Sequence, residues 1–290
     1  TQLGSITTNI AACAGGTSAT LMGPGDDPHT FALSSDQVSR LVRAKLVVAN
    51  GLTLEESLIP TLDNAKADGA RIFEVAPLVN PLTYAAIEEK DAAQHAGHAH
   101  PKNESAGHEE GHDHGAYDPH VHMDVTRMAT AAEKIGAELA KVTLNPKYAE
   151  CGVQERDKLK KVDAEVRTIL SVIPPAKRVL ITDHAAYNYF ADAYDFEIAG
   201  VVVTGGSTDA EPSSKQIADL VAVMKEDKVS AIFSNNTVSP KLVDAVAREA
   251  GTNVKVIELY EGSVGPEGSG ADTYASMMTT DAHRIADALK

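Results

Sequence analysis

The tripeptide Asp-Pro-His occurs twice in the chain, as Asp27-Pro28-His29 and as Asp118-Pro119-His120. In each copy proline stiffens the backbone and removes a donor, so the imidazole that follows leaves the chain in a restricted direction. The carboxylate ahead of it can accept the second ring N–H and fix the tautomer, the usual support for a metal-binding histidine. A third imidazole, His184, directly follows the strand-like run RVLITD at 178–183. That is a carboxyl end, where open α/β sheets place their ligands. Asp272 closes the glycine-rich stretch after a second such run, VKVIELY at 254–260, and is the expected fourth donor. Three imidazoles and one carboxylate suit a tetrahedral Zn2+ site with bonds of about 2.0–2.2 Å.

A second group of histidines reads differently. Residues 91–117 contain no Val, Ile, Leu, Met or Phe, yet carry His95, His98, His100, His108, His112 and His114 among acidic side chains. Such a stretch cannot supply a core and is expected to be a mobile loop. Irregular histidine spacing there suits loose, exchangeable metal capture rather than a fixed site.

These residues need a frame. Strand-like runs at 45–50, 71–75, 178–183, 196–203, 229–235 and 254–260 alternate with helical segments at 54–66, 217–225 and 242–250. That alternation predicts an α/β fold with mostly parallel sheets. Ser34 precedes Gln37 as Ser213 precedes Gln216, both with capping-box spacing and both followed by apolar residues on one helix face. Each helix leads to a strand ending in asparagine, Asn50 or Asn235, which points to two related lobes. Residues 146–173 form one amphipathic segment with Pro146 at its start and Pro174-Pro175 beyond its end. As a single helix it would be about 42 Å long, a stiff connector. The expected division is therefore 1–145 as the first lobe, 146–173 as the linker helix and 174–290 as the second lobe.

The chain has 290 residues, 43% hydrophobic and 23% charged, an ordinary globular composition of two-domain length. Its 26 basic against 41 acidic residues give a net charge of −15, which repels phosphate backbones and excludes nucleic acid as a partner. No apolar run approaches the roughly 20 residues of a membrane span, and with no basic n-region or apolar h-region after Thr1, any secretory signal is expected to have been removed or never to have existed. Cys13 and Cys151 are the only cysteines; they are compatible with one disulfide or with two isolated thiols.

The motifs quoted resemble one family over nearly the whole chain: the zinc/manganese class of extracytoplasmic solute-binding proteins of ABC transporters. The resemblance is carried by Gly23-Pro24-Gly25-Asp26-Asp27-Pro28-His29-Thr30-Phe31, by Asp118-Pro119-His120-Val121 and by His184-Ala185-Ala186-Tyr187-Asn188-Tyr189-Phe190. Gly270-Ala271-Asp272-Thr273-Tyr274, followed by Met277-Met278, completes it. It implies two lobes on one long helix, metal held at His29, His120, His184 and Asp272, a periplasmic or otherwise extracytoplasmic location, and hand-off to a membrane permease. It implies a monomer and leaves room for a periplasmic zinc chaperone. Manganese binders of the family carry Glu where this chain has His184, and the histidine-rich segment marks the zinc branch. One departure is His122, where the family commonly has a bulky aromatic; a packing replacement is the first reading, an auxiliary or substitute ligand the other. His283, in the C-terminal helix, is expected to be structural.

Three rival readings remain, one of them a soluble zinc buffer or adhesin with no transporter. A manganese or iron receptor would use the same frame. A zinc hydrolase would need an open coordination position and a general base, but no HExxH is present, and a bound Asp272 would close the sphere. The expectation is a non-enzymatic zinc receptor.

Overall fold

The computed structural model of the chain describes residues 1–94, 115–203, 207–208, 211–226, 229–251 and 254–290. The six histidines from His95 to His114 lie outside these described residues. The first part of the chain contributes α1 (Gln2–Cys13), α2 (Ser35–Arg43), β1 (Val47–Ala49), α3 (Ile59–Ala67), β2 (Ile72–Glu74), α4 (Tyr84–Gln94) and α5 (Val125–Thr143). After α6 (Lys147–Leu170) come β3 (Val179–Thr182), α7 (Asn188–Tyr194), β4 (Glu197–Val201), α8 (Ser214–Glu226), β5 (Ala231–Asn235), α9 (Lys241–Ala250), β6 (Lys255–Leu259) and α10 (Tyr274–Leu289).

Among the described residues every strand pairing is parallel, and the pairings fall into two sheets. β1 pairs with β2, with Val48 opposite Phe73, and the other sheet has the order β4-β3-β5-β6. In a parallel sheet all carboxyl ends lie along one edge, so the residues following β3, β5 and β6 emerge side by side. That edge positions the second half's share of the site.

The two capping boxes form as the spacing predicts. Ser34 Oγ accepts from Gln37 N at 3.3 Å while Gln37 Oε1 accepts from Ser34 N at 2.8 Å. Ser213 and Gln216 repeat the pattern at 3.3 and 2.7 Å. Each such cap stabilises its helix start by about 1 kcal/mol.

α6 is 24 residues long, about 36 Å, shorter than the expected segment. Pro146 serves as its N-cap, and the chain turns out of the helix at Ser171. Leu159, Val166, Leu170 and Ile173 are buried along one stripe, as their spacing requires. The helix is not a bare rod, because α5, α1 and α10 pack along it. α5 and α6 approach so closely at Gly136 and Gly152 that a Cβ on Gly136 would fall 2.6 Å from the Cα of Gly152. A disulfide between Cys13 and Cys151 ties α1 to α6 and resolves the open question about the two cysteines.

Two boundaries differ from expectation. The helix expected over 54–66 begins only at Ile59, because Leu52 and Thr53 take left-handed backbone angles and a single 3-10 turn, Glu56–Leu58, intervenes. The segment expected as a loop over 91–117 begins inside α4, which runs to Gln94. It ends at Tyr117, which makes an antiparallel bridge to Thr83. α5 ends at Leu144, in left-handed conformation, just before Asn145-Pro146.

One apolar core runs through both parts of the chain, joining Ile6, Val75 and Ile135 to Leu180, Phe190 and Phe233. A smaller one, with Ile181, Val202, Leu220, Ile232 and Val246, sits beneath α8 and α9. Among the described residues no helix is long and apolar enough to cross a membrane.

Candidate metal centre

The two Asp-Pro-His turns adopt the same local geometry. Asp27 Oδ1 accepts from His29 N at 2.9 Å, and Asp118 Oδ1 accepts from His120 N at 2.9 Å. Each carboxylate thus folds its tripeptide into a turn that aims the imidazole. In the second copy Asp118 Oδ1 also lies 2.8 Å from His120 Nδ1, which leaves Nε2 free to face the site. In the first copy the remaining oxygen, Asp27 Oδ2, accepts from Thr208 Oγ1 at 2.5 Å, a bond between the two halves of the chain.

Asp118 is itself held from the other half. Asn188 Nδ2 donates to Asp118 Oδ2 at 2.9 Å, and Tyr189 Oη donates to the Asp118 carbonyl at 2.6 Å. The run that follows His184 therefore positions His120. Asn50, at the end of β1, donates to the Pro119 carbonyl at 2.9 Å and fixes the turn from below.

His184 stands at the carboxyl edge of the larger sheet. Asp183 Oδ1 accepts from His184 N at 2.9 Å and lies 3.0 Å from its Nδ1, while Asp183 Oδ2 accepts from Asn235 N at 2.7 Å. The adjacent strand end thus orients the carboxylate that orients the imidazole.

His29, His120 and His184 converge. One ring nitrogen from each lies within 4.8 Å of the others, and all three side chains are buried. The Nε2 atoms of His29 and His120 are 3.3 Å apart. Two nitrogens bonded to one tetrahedral zinc ion would be about 3.3 Å apart. His184 Nε2 is buried without a hydrogen-bond partner among the described residues. An orphaned buried nitrogen costs free energy unless something occupies the space before it, and a cation does so.

The carboxylate beside His184 is Glu261, whereas Asp272, the expected fourth donor, lies on an exposed stretch ahead of α10. Glu261 follows β6 at the same carboxyl edge, is 1% exposed, and places Oε2 3.7 Å from His184 Nε2. Asn235 Nδ2 donates to Oε2 at 2.9 Å, His122 Nε2 meets Oε1 at 3.0 Å, and Gln2 Nε2 donates to the Glu261 carbonyl at 2.6 Å. Asp272 is exposed and accepts from Ser276 Oγ at 3.3 Å just ahead of α10, whose N-cap is Thr273. There it favours the positive end of the helix dipole. The glycine-rich loop carries the chain outward before Asp272, with Gly270 at φ 78°. The signal for Glu261 was its place directly after the strand, the same signal that identified His184.

His122 is neither exposed nor a mere filler of an aromatic's place: it is buried, and its ring contacts Glu261 and, edge-on, His120. His283 is exposed on α10, away from this cluster.

Charge is unevenly distributed over the centre. Burial, with the nearby His120 and His184, holds His29 far below the usual imidazole range. Burial also works against a charge on His184, but Asp183 and Glu261 outweigh it and raise this imidazole to about 9. Glu261 is kept well below the usual carboxylate range despite its burial, by His184 and by the hydrogen bond from His122. The centre is therefore a neutral imidazole, a cationic imidazole and an anionic carboxylate that face one another, with His120 between them.

Comparison with known proteins gives the same frame. The family model described as ZnuA, zinc-uptake complex component A, periplasmic, matches residues 1–288. The zinc-binding protein TroA of Treponema pallidum (strain Nichols) is 30% identical over 276 residues, 93% of this chain and 80% of the relative. The manganese-binding lipoprotein MntA of Bacillus subtilis (strain 168) is 29% identical over 278 residues, 93% of this chain and 81% of the relative. The solved structure of the periplasmic zinc-binding protein TroA from Treponema pallidum superposes with a TM-score of 0.77 at 28% identity, covering 99% of this chain and 96% of that one. With its two-lobed α/β frame and three-histidine centre, the chain belongs to the ZnuA family, the metal-binding substrate-binding proteins of ABC transporters.

Proposed function

We propose that this chain is an extracytoplasmic receptor that captures one Zn2+ ion through His29, His120 and His184, with a carboxylate from the chain after β6, Asp272 or Glu261, as fourth donor, and delivers it to a membrane permease. The observation that carries the reading is the trio of buried imidazoles with an orphaned His184 Nε2 beside a buried carboxylate. Relatives of this chain are named for zinc and for manganese, so the choice of metal rests on the donors. Three nitrogens and one oxygen favour the borderline-soft Zn2+, whereas Mn2+ favours oxygen-rich, six-coordinate sites. A fourth protein donor closes the sphere and leaves no position for an activated water, which supports a binding role over hydrolysis. The net charge of −15 adds long-range attraction for a divalent cation.

In this reading residues 1–145 and 174–290 are the two lobes, 146–173 is the linker, and the receptor acts as a monomer. A periplasmic zinc chaperone is a compatible source of the ion. The histidines of 91–117 collect zinc weakly and raise its concentration near the centre. Metal competition followed by calorimetry, with elemental analysis of the purified protein, tests the assignment. One tightly held zinc per chain that manganese at equal concentration fails to displace is expected; displacement by manganese or iron overturns it in favour of the rival receptor. Deleting 91–117 should remove only weaker sites and spare the tight one.

A further inference from the structure

The three imidazoles of the centre are not held alike. Asp118 Oδ1 accepts from the His120 amide and also lies 2.8 Å from the ring Nδ1. Asp183 treats His184 the same way, at 2.9 and 3.0 Å. Asp27 accepts from the His29 amide at 2.9 Å, but its other oxygen is taken by Thr208 Oγ1 at 2.5 Å, and among the described residues no carboxylate steadies the His29 ring. The surroundings differ in the same sense. Residues 118–125 around His120 and 180–184 ahead of and including His184 are buried throughout, whereas Pro24, Gly25 and Thr30 beside His29 are exposed. The anchors of the His29 turn also differ. Ser57 Oγ donates to the His29 carbonyl at 2.6 Å within the same half of the chain, while two further bonds cross to the other half. These are Thr208 Oγ1 to Asp27 and Gly25 N to Ser263 Oγ, the second at 2.9 Å.

A buried centre exchanges its ion only by opening, and of the three ligand-bearing segments the one at His29 lies nearest to solvent. We infer that the bond from Thr208 to Asp27 is a latch across the mouth of the centre: the ion enters and leaves past His29, and Thr208 is the positioning residue that holds the His29 turn shut from the other half. The inference rests on the reading of the three imidazoles as the site of the ion, and is independent of which carboxylate is the fourth donor. His120 and His184, held at both backbone and ring, stay in place and receive the ion. The turn that aims His29 into the centre is the same turn that Thr208 holds, so the latched arrangement is the one required for binding, with or without the ion. A hydrogen bond from a hydroxyl to a carboxylate is among the stronger ones, and an opening step that must break it is slowed by about tenfold. The ion meets this barrier in both directions, so the latch governs the rates of loading and unloading more than the affinity.

Two rates and their ratio test the latch on the full chain. Stopped-flow mixing of the metal-free protein with Zn2+ gives the association rate, and transfer of Zn2+ from the loaded protein to excess fluorescent chelator gives the dissociation rate. Thr208→Val keeps the side-chain size and removes the donor; Thr208→Ser keeps the hydroxyl. Thr208→Val should raise both rates about tenfold and leave the dissociation constant nearly unchanged, and Thr208→Ser should behave as the parent. Should the Val variant fail to fold, Thr208→Ala serves as the donor-free form. If the donor-free variant keeps both parent rates, the latch is overturned. It is overturned as well if only dissociation accelerates and affinity falls in proportion, because Thr208 then steadies the loaded centre without barring its mouth. An acceleration shared by Thr208→Ser also overturns it, since the hydroxyl is then not the cause. His29→Ala tests the underlying reading separately. If that variant binds Zn2+ as tightly as the parent, His29 leaves the site and the latch falls with it; if it binds weakly while Thr208→Val keeps the parent rates, the latch alone is struck.

Discussion

Nε2 of His184 lies 3.7 Å from Oε2 of Glu261, and both groups are withdrawn from water. Each depends on the other for its charge. Burial alone would neutralise the imidazole; Asp183 and Glu261 reverse that and raise it to about 9. In the metal-free protein a proton on His184 therefore balances the carboxylate, and an arriving divalent cation must displace that proton to reach the nitrogen.

Metal binding should release close to one proton per ion at pH 7. His184 is charged there and must become neutral to bind, while His29 is neutral already because burial holds it far below the usual range. The sign follows: affinity rises with pH until about 9, and each unit below that costs about a factor of ten from this group. An imidazole at its ordinary value would show such a decline only below about 6.5. Calorimetric zinc titrations in two buffers with different ionisation enthalpies count the protons. Zero release at pH 7 would contradict the pairing of His184 with Glu261.

Exchanging the two candidate carboxylates should have opposite consequences. Glu261→Gln removes the anion facing His184 and should weaken zinc binding by about 100-fold or more, above the usual effect of an outer partner. Asp272→Asn alters an exposed group that accepts from Ser276 in its own helix start, and should change affinity by less than about twofold. Competition against a fluorescent chelator measures both. Equal losses in the two variants would return Asp272 to the site.

Much of this frame could be read from residue pattern. The β-branched runs identified all six strands among the described residues, the Ser34/Gln37 and Ser213/Gln216 pairs identified two helix starts, and the repeated Asp-Pro-His turn identified two of the three imidazoles that converge, because each of these is a local signal. The carboxylate beside His184 was not the one expected, for a physical reason. Glu261 and Asp272 bracket one glycine-rich loop, and only the parallel order β3-β5-β6 shows that the residue nearest the strand end reaches His184. The grip of His122 on Glu261 and that of Asn188 on Asp118 join residues far apart in the chain, and no local pattern announces such pairs. The disulfide was open for the same reason, since Cys13 and Cys151 meet only once α1 packs on α6.

The α5–α6 crossing should be intolerant of a single methyl group. A Cβ at Gly136 would sit 2.6 Å from both the Cα of Gly152 and the carbonyl of Tyr148, so the clash is with backbone that cannot rotate aside. Gly136→Ala should destabilise the fold by about 1–3 kcal/mol through forced separation of the helices, despite alanine's better helix propensity. Urea unfolding of the metal-free protein checks it. A stabilised variant would mean that the helices part at little cost.

Asp281 should make the metal-free protein less stable as pH rises toward 8. This α10 carboxyl accepts from Tyr260 N at 3.0 Å, beside the ligand loop, and burial raises it from 3.8 to about 7. In the unfolded chain it ionises near its ordinary value, so between about 4 and 7 the folded state holds a proton that the unfolded state has lost. The folded state is therefore favoured below that window and loses this advantage as pH climbs through about 7. By pH 8 the folded protein carries a buried charge that the unfolded chain keeps in water. Asp281→Asn retains an oxygen for Tyr260 N and cannot ionise. Relative to the parent it should gain about 2–4 kcal/mol between pH 5 and pH 8. Thermal unfolding of both proteins in chelator at the two pH values measures the difference. Parallel pH profiles would show that Asp281 is ionised at little cost in the fold.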